Sequence, residues 1–425
     1  MASGSLFRHR DFRLLWVGQT ISELGSNVTT TAVPLLAALV LAATPFQMGL
    51  LAAAPTTAFL LIGLPAGVWV DRMRRRSLML GADLGRAALL LSVPVAWWAG
   101  VLTIAQLIVV GLLVGVLTVF FDVAYQSYLP SLISREHLVD GNGKLQASLT
   151  TAQVTGPALG GGLTQWVGAA NAVLVDALSY LASALCLWRI RTPEPEPERP
   201  ETRPRLRADI AEGLRFVFGN RMLTAIVITT GVSNFFTNVI GAVDVLLLTR
   251  QLGASAGIVG LLLTTGSVGG VLGALASGRL IARFGQARTI WASLVATSPF
   301  MLLIPLVGRG PLLLLFAAGN LVSWAGAVVY NVAQVSFRQS ICPDRLLGRM
   351  NASVRFLVWG TIPLGGLLGG VLGSTIGLRE AMWVGAVGAM LAPVSVLLSP
   401  LRGLRDLPES AQPAPAPANS DPGIS

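Results

Sequence analysis

Charge is what this sequence has least of. Of 425 residues only 12% are Asp, Glu, Lys or Arg, while 53% are apolar and the mean hydropathy is +0.69. A water-soluble chain of this length needs a charged surface, so a soluble globular fold is excluded. Cysteine is nearly absent: Cys186 lies in an apolar stretch and Cys342 in a loop, and neither sits at a metal-ligand spacing. No disulfide framework, metal centre or cofactor is expected. Histidine is equally scarce, and no pairing of a nucleophile with a base is visible, so an enzyme is not expected. The segment GNGK (141–144) is followed by Leu145 and lacks the upstream glycine of a phosphate-binding loop, which argues against an ATP-driven pump. Alternating ten-residue segments are missing, which excludes a β-barrel. No small-residue cleavage site follows the basic N-terminus, so the first apolar stretch is expected to remain in the protein.

What is abundant is long apolar sequence. Twelve stretches of 20 to 28 residues lie near 14–41, 46–70, 77–99, 102–127, 144–167, 170–189, 222–249, 255–281, 287–307, 311–336, 349–374 and 380–400. Each is long enough to cross a hydrocarbon core of roughly 30 Å at about 1.5 Å per residue. The expected fold is an all-α integral membrane protein of twelve transmembrane helices. The net charge of +10 suggests nucleic acid at first sight, but its placement argues for a bilayer instead. Of 30 Lys and Arg, 25 fall on one side of the membrane, two inside spans (Arg86, Arg355) and three on the other side (Arg250, Arg309, Arg379). The positive-inside rule then places both termini in the cytoplasm, with His9 and His137 on that side.

The chain divides into related halves. A proline-rich, charged linker (190–221) is expected to end in a short surface helix over 208–218, and the proline- and alanine-rich tail from 408 is expected to be disordered. This leaves six-helix halves at 1–189 and 222–407. At a shift of 211, SELGSN (22–27) lies on SNFFTN (233–238), and Gly49-Leu50-Leu51 lies on Gly260-Leu261-Leu262. At a shift of 205, GKLQAS (143–148) lies on GRMNAS (348–353), and Gly160-Gly161 on Gly365-Gly366. Duplicated halves place a substrate site at their interface near mid-membrane, with rocking between two access states.

Three groups of residues carry mechanism. Between the second and third spans runs Gly67-x-x-x-Asp71-Arg72-x-x-Arg75-Arg76, whose glycine allows close helix approach and whose charges can form ion pairs at the cytoplasmic rim. It is read as a conformational latch, against simple positive-inside anchoring. Asp122, at the cytoplasmic end of the fourth span, is a candidate partner for Arg72 or Arg75. In the fifth span Gly143, Ala152, Gly156, Pro157, Gly160 and Gly161 offer a small-residue packing face with a proline bend. In the first span Gln19, Glu23, Asn27 and Thr31 recur every four residues, forming one polar stripe. Glu23 falls near the midplane, where a carboxylate is costly unless paired, wetted or protonated. It is the candidate for proton coupling, against a role in touching substrate only. The related stripe Thr230, Asn234 and Asn238 is expected on the opposite wall of the cavity, with Trp324, Trp359 and Arg355. Arg355 either faces an anionic substrate or snorkels. Asp83 and Arg86, three apart, are expected to pair.

The loop GVWVDRMRRR (67–76) resembles the G-x-x-x-D-R-x-x-R-R signature of the major facilitator superfamily, and the fifth-span glycine–proline pattern resembles the antiporter motif of its drug exporters. The stretches FRHRDFRLLWVGQTISELG, YLPSLISREHLVDGNGKLQAS and VLVDALSYLASAL are similar to the bacterial macrolide-efflux and enterobactin-exporter-like branch. The resemblance implies a monomeric inner-membrane secondary transporter exporting drugs, siderophores or secondary metabolites by proton antiport. Departures are Ala152 in place of a glycine and the lack of any charge over 102–121, where drug antiporters often carry an arginine. An importer or facilitator of the same fold is the alternative.

Overall fold

The computed structural model describes residues 6, 9–70, 72–134, 137–192, 194 and 206–406, with the side chains of 64, 65, 67, 68, 206–210, 344 and 345 outside that description. Asp71, the linker residues 195–205 and the tail from 408 therefore lie outside the described residues. Helix follows helix, with no strand among the described residues. The first six are α1 (Arg10–Leu39), α2 (Pro45–Val70), α3 (Arg75–Trp98), α4 (Ile104–Leu132), α5 (Leu138–Val167) and α6 (Ala169–Arg189). The linker helix is α7 (Leu206–Gly219). Beyond it come α8 (Arg221–Gly241), the short α9 (Asp244–Leu246), α10 (Ala256–Phe284), α11 (Gln286–Thr297) and α12 (Leu313–Ile341). A broken span, α13 (Asp344–Trp359) and α14 (Thr361–Thr375), precedes α15 (Leu378–Leu391) and α16 (Val394–Leu397).

Nine of the described helical segments are long and apolar enough to cross a membrane, fewer than the twelve expected. The shortfall falls on α1, α5 and α11. The first two are 30 residues long but carry polar stripes, while α11 stops after 12 residues and continues as a 3-10 turn, Ser298–Leu303. Local chemistry fixes the helix ends. Thr103 caps α4 by accepting from Gln106 N at 3.2 Å, and Asn220 caps α8 by accepting from Met222 N at 2.9 Å. Gly168 joins α5 to α6, and Gly377 joins α14 to α15, at φ of 87° and 112°, where a side chain would be strained.

In the first half α1 packs on α5 and α6, and α4 on α2 and α3. In the second, α8 packs on α14 and α15, and α12 on α10 and α11. The halves meet through α2 against α14 and α5 against α10. The face bearing the start of α1, the end of α6 and Asp406 is here the basic face. Away from it, one apolar core runs unbroken through both halves, from Leu35 and Leu36 through Met48 to Leu246, Val259 and Met382. Toward the basic face that core splits into separate clusters. One is built on Phe12, Phe121 and Tyr128 in the first half; two lie in the second, around Ile290 with Phe337 and around Met350 with Val354. Apolar packing therefore joins the halves at one face and divides toward the other.

Candidate functional site

Glycine lets the backbones touch where the halves are joined. A Cβ added to Gly49 of α2 would strike Gly366 O and the Gly370 backbone of α14, and one added to Gly260 of α10 would strike Pro157 O and the Gly161 backbone of α5. Gly49 and Gly260 are the pair that coincide at the 211 shift, so the two seams are built alike. Polar contacts reinforce them. Arg250 donates to Ala38 O at 2.9 Å through Nη2, and Gly257 N donates to Gln165 Oε1 at 2.9 Å.

The neighbouring face of α5, one residue back along the helix, seats the α1 stripe. A Cβ on Gly156 would run into Asn27, and one on Gly160 into Val28 O and Thr31. Ala152 is fully buried, whereas Gly143 has open space beside it and plays no part in the seam. Along α1, Gln19 Nε2 donates to Glu23 Oε1 at 3.0 Å, Asn27 Nδ2 donates to Glu23 O at 2.8 Å, and Thr31 is buried. In the related stripe of α8, Asn238 Nδ2 donates to Asn234 O at 2.8 Å, repeating the Asn27 contact. Asn234 Nδ2 reaches Val358 O at 3.3 Å, and Thr230 Oγ1 lies 2.6 Å from Tyr330 OH.

Arg355 is exposed on α13, with its guanidinium 4.2 Å from the Trp359 ring and 4.8 Å from the Phe59 ring of α2. Phe59 and Trp359 are themselves 4.9 Å apart, so this aromatic contact also crosses between the halves. Arg355 and Asp122 interact electrostatically across the gap. Trp324 is 48% exposed, its indole lying against Gly266.

The structure places Asp122 differently from the sequence expectation. α4 continues to Leu132, so Asp122 sits ten residues from the basic end, about 15 Å deep. Pro130 does not end the helix, because the last turn continues through it. Arg75 consequently donates to Ser127 O at 3.3 Å, and the cations within electrostatic reach of Asp122 are Arg86 and Arg355. Arg72 is exposed, Asp71 lies outside the described residues, and so do the surroundings of Gly67.

Sequence reasoning missed a strap across the basic face. Asp11 Oδ2 accepts from Arg191 N, Thr192 N and Thr192 Oγ1 at 3.1, 2.8 and 2.6 Å. Burial pushes the Asp11 carboxyl up, but those hydrogen bonds outweigh it and hold the group below its ordinary 3.8. Glu194 then accepts from Arg75 N and Arg76 N at 2.6 and 3.1 Å, capping α3. The second half repeats the device. The N-terminus of α11 is capped by Arg405 O, at 3.1 Å from Ala287 N, and by Asp406 Oδ1, at 3.2 Å from Gln286 N. Main-chain donors leave no sequence signal, which is why the strap is not legible in composition.

A family model described as transmembrane secretion effector matches residues 2–420. The multidrug efflux pump Tap of Mycolicibacterium fortuitum is 26% identical, over 92% of this chain and 95% of its own. Macrolide efflux protein A of Streptococcus pyogenes is 23% identical, over 93% and 97% respectively. Among solved structures, a bacterial homologue of the iron transporter ferroportin in its inward-facing state matches with TM-score 0.75 at 16% identity. The match covers 92% of this chain and 98% of that one. The outward-facing state of a bacterial ferroportin homologue matches at 0.59, with 17% identity and coverage of 91% and 98%. At such identities these likenesses establish the fold.

Proposed function

This chain belongs to the transmembrane secretion effector family of major facilitator transporters, and on that premise we propose that it exports small hydrophobic or amphipathic molecules by proton antiport. It is a multi-pass membrane transporter and not an enzyme. The finer reading is that two halves, 1–189 and 222–407, rock about a central cavity, with twelve spans and both termini cytoplasmic. The basic face is then the cytoplasmic one, and the chain is in its inward-facing state, sealed by glycine seams at the far face.

The observation that carries this reading is the double duty of α5. One stretch of small residues holds the Glu23–Asn27–Thr31 stripe through Gly156 and Gly160, and holds the other half through Gly161. A change in how the halves meet is thereby mechanically tied to the helix bearing the membrane carboxylate. Glu23 is read as the proton carrier, with Gln19, Asn27, Thr31, Thr230, Asn234, Asn238, Trp324, Arg355 and Trp359 lining the cargo path. The names of the relatives favour export over import.

The test is accumulation of ethidium, a lipophilic dye, in cells expressing the protein. Expressing cells should hold less dye than controls, and a protonophore should abolish the difference. Energy-dependent accumulation above the control level would support the importer reading instead.

A further inference from the structure

Among the described residues, the most deeply buried cation of the first half belongs to none of the motifs. Arg86 is 4% exposed on α3, eleven residues in from Arg75, so its depth of about 16 Å matches that of Asp122 on α4. Its guanidinium lies between two rings, 4.3 Å from the Phe121 centroid and 4.2 Å from that of Tyr180. Its formal partner is Asp83 on the same helix, fully buried. That pair is incomplete on the arginine side, since Arg86 Nε is buried without a hydrogen-bond partner, while Ser183 of α6 also serves Asp83.

The groups around Arg86 come from every helix packed there. α3 supplies Asp83; α4 supplies Asp122, with Thr118 Oγ1 at 3.5 Å; α6 supplies Tyr180 and Asp176; α1 supplies Glu23. Tyr180 OH lies 2.8 Å from Ser26 Oγ, which fastens the arginine's aromatic platform to the α1 stripe. Four carboxylates thus share one interior guanidinium, and Arg355 reaches only Asp122 of the four across the gap. Asp83 and Asp176 are buried, Glu23 is half-buried and Asp122 is exposed, so the guanidinium sits between a buried pair of carboxyls and a pair open to the cavity.

We infer that Arg86 is a positioning residue, a shared counter-charge that sets whether Glu23 and Asp122 hold their protons. The charge-free stretch over 104–121 of α4 is then no defect, because the cation that serves this cavity enters from α3. Glu23 and Asp122 compete for a guanidinium already engaged with Asp83, and any movement of α3 against α1 or α4 changes which carboxyl it favours.

The experiment is an infrared pH titration of the protonated-carboxyl band in the purified full-length protein. Glu23→Gln and Asp122→Asn assign the signals. The series is wild type, Asp83→Asn, Arg86→Met and the double variant Asp83→Asn/Arg86→Met, each checked for monodispersity. A shared counter-charge predicts that the Glu23 and Asp122 signals persist to higher pH in the double variant than in the wild type. It predicts that they vanish at lower pH in Asp83→Asn, with at least a tenfold change in proton affinity between those extremes. The double variant keeps the site neutral, so it reads out even if Arg86→Met fails to fold. Wild-type titration in the double variant would overturn the inference, leaving Arg86 as the structural partner of Asp83 alone. The inference rests on proton antiport only for its consequence. Dye efflux by the wild type that ignores the pH gradient, with the infrared order intact, would count against antiport and not against Arg86.

Discussion

Glu23 was legible because a helix repeats its face every four residues, and a carboxylate in such a stripe far from either end has to be explained. Its neighbours were not legible. Which cation serves Asp122 depends on where α4 ends and how α3 leans on it, and sequence spacing carries neither. Arg355 looked ambiguous for the same reason, since only packing brings Phe59 from the other half onto its guanidinium. If Glu23 carries the proton, Glu23→Gln preserves shape and hydrogen bonding while removing titration. Ethidium binding measured against pH should then flatten, and gradient-driven efflux should fall to background. Asp122→Asn, which leaves Glu23 titrating, should retain pH-dependent binding. Active pumping by Glu23→Gln would move the proton site elsewhere.

Elements were easier to read than their contacts. Apolar length announced most spans, and the 211-residue repeat announced that seams would come in related pairs. The glycine–proline pattern of α5 pointed to close packing without saying against what. The structure separates its members: Gly156 is pressed on Asn27, and Gly143 faces open space. Gly156→Leu should therefore lower the melting temperature of the purified protein, at a cost of about 1–3 kcal/mol or more, while Gly143→Ala should leave it unchanged. Equal losses in both would mean that the motif is a generic helix former. The strap belongs to this scale as well. With its carboxyl held below 3.8, Asp11 contributes stability that is present at neutral pH and lost only as pH falls through that lowered value. Asp11→Asn should remove this acid-side contribution. The check is the difference in melting temperature between the variants, present at pH 7 and closing below pH ~3.8.

At the scale of the whole molecule, duplication and charge asymmetry carry the account. Apolar packing that is continuous at one face and divided at the other gives the repeat a direction, which no sequence reading supplied. If the basic face is cytoplasmic, a reporter fused near Arg205 should signal cytoplasm and one near Gly100 the outside. Opposite signals would invert the orientation. The central claim is that the halves alternate between two seams. Spin-label distances test it most directly, with Cys186→Ser and Cys342→Ser as background. One label pair sits at Gln126 and Ser336 toward the basic face, the other at Thr44 and Ser374 beside the Gly49–Gly370 seam. All four positions are exposed. Adding ethidium or shifting pH should populate a second state in which the Gln126–Ser336 distance shortens while the Thr44–Ser374 distance lengthens. Two distances that stay fixed under every condition, or that change in the same direction, would contradict alternating access.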